Sequence, residues 1–231
     1  MGARSRPRDL RTDPRLIVVG SERRKRRAVS LEQAAAPQAP RCPACAQPLF
    51  VWVEARGWGM RGDELIYRCE NCGLAVEHGA VPSAEGAAAM LDRSPLRAAN
   101  AASLQAWLGA ENWAALRPSD RGVKLTPAAV ERLSELAGRR VERIRQPAGA
   151  GIAAMWQTLL NLLTFHRNFV AEAASGRLRP GAGRGRAAYF VDAAITGLAA
   201  IPTALLAVLL EGGALLARRG GVLEITSAPR R

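Results

Sequence analysis

Hydrophobic residues are unevenly spaced along the chain, and their spacing divides it into segments of different character. Residues 1–40 show no apolar periodicity and are rich in Arg, Pro and Ser, which predicts a disordered basic tail. Between residues 41 and 79, short apolar and aromatic runs alternate with tight turns, a pattern typical of a small β ribbon. Residues 80–99 are mainly Ala, Gly and Pro, which predicts a linker with one short helix.

Residues 100–147 contain the clearest helix ends in the sequence. Thr126 suits the N-cap position, Pro127 suits the first helical position, and Gly138 suits the residue that ends a helix. The apolar residues at helical spacing between these helix ends are Val130, Leu133, Leu136 and Ala137. Residues 140–145, which follow, predict a short strand.

Residues 148–175 predict one long amphipathic helix, followed by a basic, glycine-rich linker at 176–186. Its apolar face contains Met155, Trp156, Leu159, Leu160, Leu162, Leu163, Phe169 and Val170. Its polar stripe contains Gln157, Asn161, Thr164 and Asn168. Such a helix packs either on a protein core or on a membrane surface or substrate. His166 falls on the apolar side with no carboxylate nearby in sequence, so we predict a packed histidine.

Residues 193–210 form an uncharged stretch between Asp192 and Glu211 whose length makes it a candidate membrane span. Pro202 in its middle and arginines on both flanks argue against a span with a preferred orientation. A bent helix or a helical hairpin, embedded in the membrane interface or buried on the protein, is favoured instead. We therefore expect residues 187–231 to form an apolar helical region that ends in a short strand.

The charge of the chain is strongly positive and unevenly distributed. The 231 residues include 33 Lys or Arg and 20 Asp or Glu, a net charge of +13, and nearly all the positive charge is Arg. More than half of the excess lies in the tail, which would attract nucleic acid phosphates or an anionic membrane. The alternative is a solvated arm. Chain length, 22 Gly, 14 Pro and 5% aromatic residues argue against a large doubly wound enzyme.

Four cysteines form two Cys-x-x-Cys pairs, and they predict a structural Zn²⁺ site. The ligands would be Cys42, Cys45, Cys69 and Cys72, each pair lying in a tight turn that directs two thiolates at one ion. Redox and disulfide chemistry are disfavoured, because neither pair has a βαβ context and no signal indicates an oxidising compartment. His78 is predicted to be a surface imidazole, since four thiolates complete the site.

No set of residues predicts a catalytic centre. The sequence has no Ser, His and Asp in a recognisable context and no phosphate-binding loop. The glycines at 181–185 lack a preceding strand, and Glu131 and Glu135 have the spacing of exposed helix charges. We therefore assign no catalytic or cofactor-binding residue, and a non-enzymatic role is favoured.

Several motifs run from the second cysteine pair to the end of the sequence. The second cysteine pair reads Cys69-Glu-Asn-Cys72-Gly73-Leu74-Ala-Val76. The downstream motif positions are Asn100, Ser103, Leu104, Trp113, Leu116, Pro118, Leu125, Thr126, Pro127, Val130, Leu133, Gly138 and Val141, with the ending Gly220-Gly-Val-Leu-Glu-Ile. Together these motifs resemble the zinc-ribbon-bearing class I S-adenosylmethionine-dependent methyltransferases of bacteria. The family's His in its Pro-Arg-His turn falls at Arg121 here.

The resemblance omits the part of the family that binds the cofactor. Residues 73–98 number 26, whereas the doubly wound cofactor core of that family needs roughly one hundred residues. The chain therefore resembles a relative that has kept the ribbon and the C-terminal portion and has lost the cofactor domain. The fold class expected is α+β, with an N-terminal β zinc ribbon, a reduced α/β segment and a mostly helical, apolar C-terminal region.

Three functional hypotheses follow. The first is a noncatalytic zinc-ribbon accessory protein of methyltransferase-like ancestry, docked to a membrane surface or a partner enzyme. The second is a methyltransferase that acts with a separate cofactor-binding subunit, and the third is a nucleic-acid-binding ribbon protein. The expected location is cytoplasmic and peripheral to the inner membrane.

Overall fold

A computed structural model describes residues 40–55, 64–77, 81–116, 122–181 and 184–230. These residues form an α+β structure, as the sequence predicts, and their strands lie in two small sheets. The predicted tail, apart from Pro40, lies outside the described residues, and so does His78.

The first sheet contains the ribbon and one strand from much later in the chain. Its strands are β1 (Leu49–Ala55), β2 (Glu64–Cys69), β3 (Ala75–Glu77) and β5 (Val123–Lys124), in the order β1-β2-β3-β5. All three pairings are antiparallel. The ribbon is thus extended by a strand from the segment 100–147, which joins the two regions in one sheet.

The second sheet joins segments that are far apart in sequence. Its strands are β4 (Leu96–Ala99), β7 (Val222–Pro229) and β6 (Arg139–Arg145), with β7 in the middle and both pairings antiparallel. The predicted strand at 140–145 and the terminal strand are both present. The segment from 100 to 147 therefore contributes to two antiparallel sheets, and not to a parallel α/β unit.

The predicted linker 80–99 is more ordered than its composition suggests. It contains helix α1 (Ala84–Ala88), a 3₁₀ turn (Ala89–Asp92) and strand β4. β4 forms because it pairs with β7, more than 120 residues later, and no local pattern indicates that partner.

One hydrophobic core joins the two sheets. It includes residues from the ribbon, from the middle of the chain and from β7, and its fully buried members include Leu49, Leu74, Leu125, Val130, Leu133, Leu223 and Ile225. The ribbon therefore packs as part of the larger fold.

Helices α2 (Leu104–Gly109) and α3 (Pro127–Leu136) begin at side-chain caps, as predicted for α3. Thr126 Oγ1 accepts the N–H of Ala129 at 3.0 Å, and it also donates to the carbonyl of Cys72. This hydroxyl thus connects the start of α3 to the second cysteine turn. Gly138, with φ of 61°, follows the end of the helix in the left-handed conformation that glycine favours.

The amphipathic segment 148–175 forms two helices, and the prediction of a single helix is wrong. They are α4 (Ala148–Asn161) and α5 (Phe169–Ala174). Asn161 Oδ1 accepts the N–H of Asn168, at 2.7 Å, and Asn168 is left-handed with φ of 52°. These amide contacts stabilise a turn in place of the helix.

The last helix, α6 (Arg184–Leu216), contains 33 residues and continues through Pro202. It includes the whole uncharged stretch 193–210 and begins inside the predicted linker 176–186. The structure therefore has one long helix here, and the hairpin alternative is wrong.

The dual role of Thr126 can be tested by substitution. Thr126→Ala is expected to lower the free energy of unfolding by about 1–2 kcal/mol, because it removes the cap of α3. Denaturant unfolding measures this loss. Thr126→Ser retains the hydroxyl and should restore most of the stability, whereas an equal loss in both variants would contradict a role for the hydroxyl.

Candidate metal centre and exposed apolar helix

The two cysteine turns meet because of the register of the ribbon. Cys42 and Cys45 lie just before β1, while Cys69 ends β2 and Cys72 lies in the turn after it. Leu49 pairs with Cys69, which brings the beginning of β1 beside the end of β2. Gly73, with φ of 74°, donates its N–H to the carbonyl of Cys69 at 2.8 Å and closes the second turn.

The four sulfur atoms have the spacing of a tetrahedral metal site. All Sγ atoms lie within 4.8 Å of one another, and no two of them form a disulfide. The distances are 3.5 Å for Cys42 to Cys72, 3.4 Å for Cys45 to Cys69 and 3.8 Å for Cys45 to Cys72. A tetrahedral ion with metal–sulfur bonds of about 2.3 Å separates its ligands by about 3.8 Å. The cysteines can therefore hold a metal ion.

The surroundings of the sulfur atoms make uncompensated thiolates unfavourable. The hydrogen bond with Cys72, together with burial, raises the pKa of the Cys42 thiol. Burial likewise raises the pKa of Cys69. A metal ion supplies the positive charge that stabilises the thiolates, so metal binding should release protons.

The metal centre can be tested by elemental analysis of the purified protein. We expect one metal ion per chain in the wild type and less than one in Cys72→Ser, since one of four ligands is removed. A chelator should lower the melting temperature of the wild type, because metal binding contributes to folding. Metal-free protein whose melting temperature is unaffected by chelator would contradict the assignment.

The second notable feature is the exposed apolar face of α6, which we call the apolar stripe. Leu198, Ile201 and Leu209 are 84%, 75% and 73% exposed. Its other large residues are Phe190, Val191, Leu205, Leu206, Val208 and Leu216. By length and composition α6 could cross a membrane. Only 11% of its most apolar 18-residue stretch is buried in the protein. An uncharged helix face this exposed is unusual in a folded protein.

Asp192 fixes the first end of the uncharged stretch to the turn between α4 and α5. Its side chain is fully buried, and Oδ1 accepts the N–H of Phe165 at 2.8 Å. Oδ2 accepts the N–H of His166 at 2.8 Å and lies 2.7 Å from Nδ1 of the same residue. His166 is buried, as predicted, but its carboxylate partner comes from 26 residues later and was missed.

Glu211 fixes the second end of the uncharged stretch to the protein. Oε1 of this fully buried side chain accepts the N–H of Gly221 at 2.8 Å, and Oε2 accepts from Gln105 Nε2 at 2.8 Å. Gln105 Nε2 also donates to the carbonyl of Gly151 at 2.7 Å. A side chain at position 151 would overlap the Glu211 carboxylate and displace it from these hydrogen bonds.

Between these two contacts, α6 packs along α4. Met155 and Leu159 of α4 are buried with Ala207 of α6, and Trp156 Nε1 donates to the carbonyl of Ala200 at 3.0 Å. Asp192 and Glu211 are 19 residues apart, which corresponds to about 28 Å of helix. The buried face of α6 is thus held along the protein, and the apolar stripe faces away from it.

No protein-family model matches this chain, and comparisons with curated proteins and with solved structures give no match. The resemblance to methyltransferases therefore stays a prediction.

Removal of the Glu211 carboxylate should be costly. Glu211→Ala leaves the N–H of Gly221 and one N–H of the Gln105 amide without a partner, and we expect a loss of about 2–3 kcal/mol in the free energy of unfolding. Glu135 is an exposed glutamate on α3, and Glu135→Ala should change stability by less than about 0.5 kcal/mol. Equal effects in both variants, measured by denaturant unfolding, would contradict the proposed contact.

Proposed function

We propose that this protein is a noncatalytic accessory protein that docks on a membrane surface, with α6 lying in the plane of the membrane. The observation that carries the proposal is the apolar stripe on a helix whose buried carboxylates hold it to the protein at both ends. An amphipathic interfacial helix places its apolar side among the lipids and leaves its other side outside them.

The topology argues against α6 crossing the membrane alone. Strand β7 follows α6, yet it pairs with β4 and β6, which precede α6. The sheet thus contains strands from before and after α6, so the chain on both sides of the helix folds into one body. A single crossing would require the two ends on opposite sides of a bilayer whose hydrocarbon core is about 30 Å thick.

A spanning pair made of α4 and α6 is also disfavoured. The side of α4 away from α6 is covered by α2 and the residues after it. Thr158 Oγ1 accepts the N–H of Ala114 at 3.1 Å, and Asn161 Nδ2 donates to the carbonyl of Asn112 at 2.9 Å. In a spanning pair these irregular backbone segments would lie at membrane depth, where polar backbone groups are poorly tolerated.

A lipid surface fits the apolar stripe better than a partner enzyme does. Residues 193–210 carry no charge, whereas protein interfaces are ringed by polar groups that form hydrogen bonds. Arginines lie beyond both ends of this stretch, where their guanidinium groups can extend to the polar layer of a membrane while the apolar side chains contact lipid.

In this proposal the metal is Zn²⁺ and its role is structural. Soft thiolates in a tetrahedral arrangement favour zinc, and four of them leave no coordination position for a substrate. The metal would fix the ribbon, whose cysteine turn Thr126 joins to α3. Free thiols are also consistent with the reducing interior of a cell, and hence with docking on the cytoplasmic face.

The noncatalytic part of the proposal has its own test. Calorimetric titration of the isolated chain with S-adenosylmethionine should show no binding. Tight stoichiometric binding would refute this part of the proposal and would favour a functional methyltransferase relative.

Membrane docking can be measured by co-sedimentation with phosphatidylcholine vesicles. The double variant Leu198→Ser, Ile201→Ser removes two of the most exposed apolar side chains from the stripe, and its affinity should fall about tenfold or more. Leu136→Ser provides a matched control, because Leu136 is an exposed leucine of α3, at 56%.

The control variant should bind like the wild type. Absence of wild-type binding, or equal affinity of the wild type and the double variant, would contradict membrane docking. Self-association that the double variant abolishes, without vesicle binding, would indicate that a second copy covers the stripe.

A further inference from the structure

Exposed arginines lie at both ends of the apolar stripe. Arg186 is exposed near the beginning of α6, and its guanidinium lies 5.8 Å from the ring centre of Phe190, one turn later in the stripe. Arg218 and Arg219 follow Leu216 and are exposed at the other end. The stripe thus begins and ends beside guanidinium groups that can extend toward the polar layer of a membrane.

The positive charge at the second end includes a residue from the ribbon. Arg68 of β2 lies over the ring of Trp52, 4.9 Å from the ring centre. Burial lowers the pKa of Arg68, and the charge of Arg219 lowers it further. Arg68 and Arg219 therefore repel each other, and a bound anion would relieve this repulsion.

In the described parts of the chain, these arginines lack the ion pairs that several other arginines form. Arg97, Arg139 and Arg177 form ion pairs with carboxylates, at 2.8, 3.0 and 3.6 Å. Within the described parts of the chain, no carboxylate forms an ion pair with Arg68, Arg186, Arg218 or Arg219. The two acids of α6, Asp192 and Glu211, are buried against other groups, and Glu224, which follows Arg219, pairs with Arg97.

The arginines form two groups, which are Arg186 at one end of the stripe and Arg68, Arg218 and Arg219 at the other. We propose that these two arginine groups bind the phosphate headgroups of anionic phospholipids, so that the docking surface selects negatively charged membranes. This inference rests on the proposed membrane docking and adds the class of lipid. Arg186 and Arg218 are 32 residues apart, about 48 Å along the helix, so each end contacts a different lipid. A helix in the membrane plane puts both ends at the depth of the same layer of headgroups.

The test compares the full chain with two double variants that lose the same charge. Arg186→Gln, Arg218→Gln removes one arginine from each end of the stripe. The control Arg132→Gln, Arg140→Gln removes exposed arginines from α3 and β6. Arg140 pairs with Ala228, six residues along β7 from Val222 and about 20 Å away from the beginning of that strand. The tail is unchanged in all three proteins, so its charge does not affect the comparison.

Affinity is measured by co-sedimentation with vesicles of phosphatidylcholine, alone or mixed with phosphatidylglycerol. The wild type should bind the mixed vesicles more tightly. The variant at the stripe ends should lose about fivefold in affinity for each arginine removed on mixed vesicles. It should bind phosphatidylcholine like the wild type, and the control should remain within about twofold of the wild type on both.

Each contrary result identifies a different error. If the wild type prefers mixed vesicles and both double variants lose the same affinity for them, the preference arises from net charge. Specific binding of lipid phosphate by the two arginine groups is then refuted. If the stripe-end variant retains full affinity for both vesicles, the lipid class is wrong while membrane docking stands. If glycerol phosphate displaces the protein from mixed vesicles, or RNA competes fully, the groups bind a free phosphate or a nucleic acid instead. Failure of the wild type to bind any vesicle refutes the docking itself.

Discussion

The buried carboxylates of Asp192 and Glu211 are the contacts on which the arrangement of α6 depends. Each accepts hydrogen bonds from N–H groups of the protein body, one at each end of the uncharged stretch. A buried carboxylate without hydrogen-bond partners is costly. Because Asp192 and Glu211 find their partners only when α6 lies along α4, their burial favours that position of the helix. As a result, one face of α6 is covered over about 28 Å, while the opposite face remains exposed. The same contacts that fold the helix against the protein therefore leave its apolar stripe exposed.

The metal centre and the apolar helix belong to one continuous fold. Thr126 links the second cysteine turn to α3, and the residues of the ribbon share a core with Leu223 and Ile225 of β7. β7 in turn begins just after α6. An ion held by the cysteines would thus stabilise the body that holds α6. In the proposed function, this connection lets a small ribbon support membrane docking through stability alone.

The sequence predicted local features well and distant contacts poorly. The four cysteines, the cap at Thr126 and the strands near residues 140 and 222 were accessible because caps, turns and short apolar runs are local signals. The partnership of His166 with Asp192 was missed, because it joins residues 26 positions apart through the packing of two helices. Strand β4 was missed for the same reason. Asp192 and Glu211, which lie at the two ends of the uncharged stretch, were the available sequence signal for the contacts that hold α6.

The most direct test of the account is the depth of α6 in a membrane. A fluorescent non-natural amino acid is placed at Val191, Leu198 or Leu209, three exposed positions on the same face of the helix. Quenching by lipids brominated at known depths then locates each position. A helix in the membrane plane predicts the same shallow depth for all three. A position 198 much deeper than the other two would show a spanning helix, and absence of quenching at all three would show that lipid does not cover the stripe.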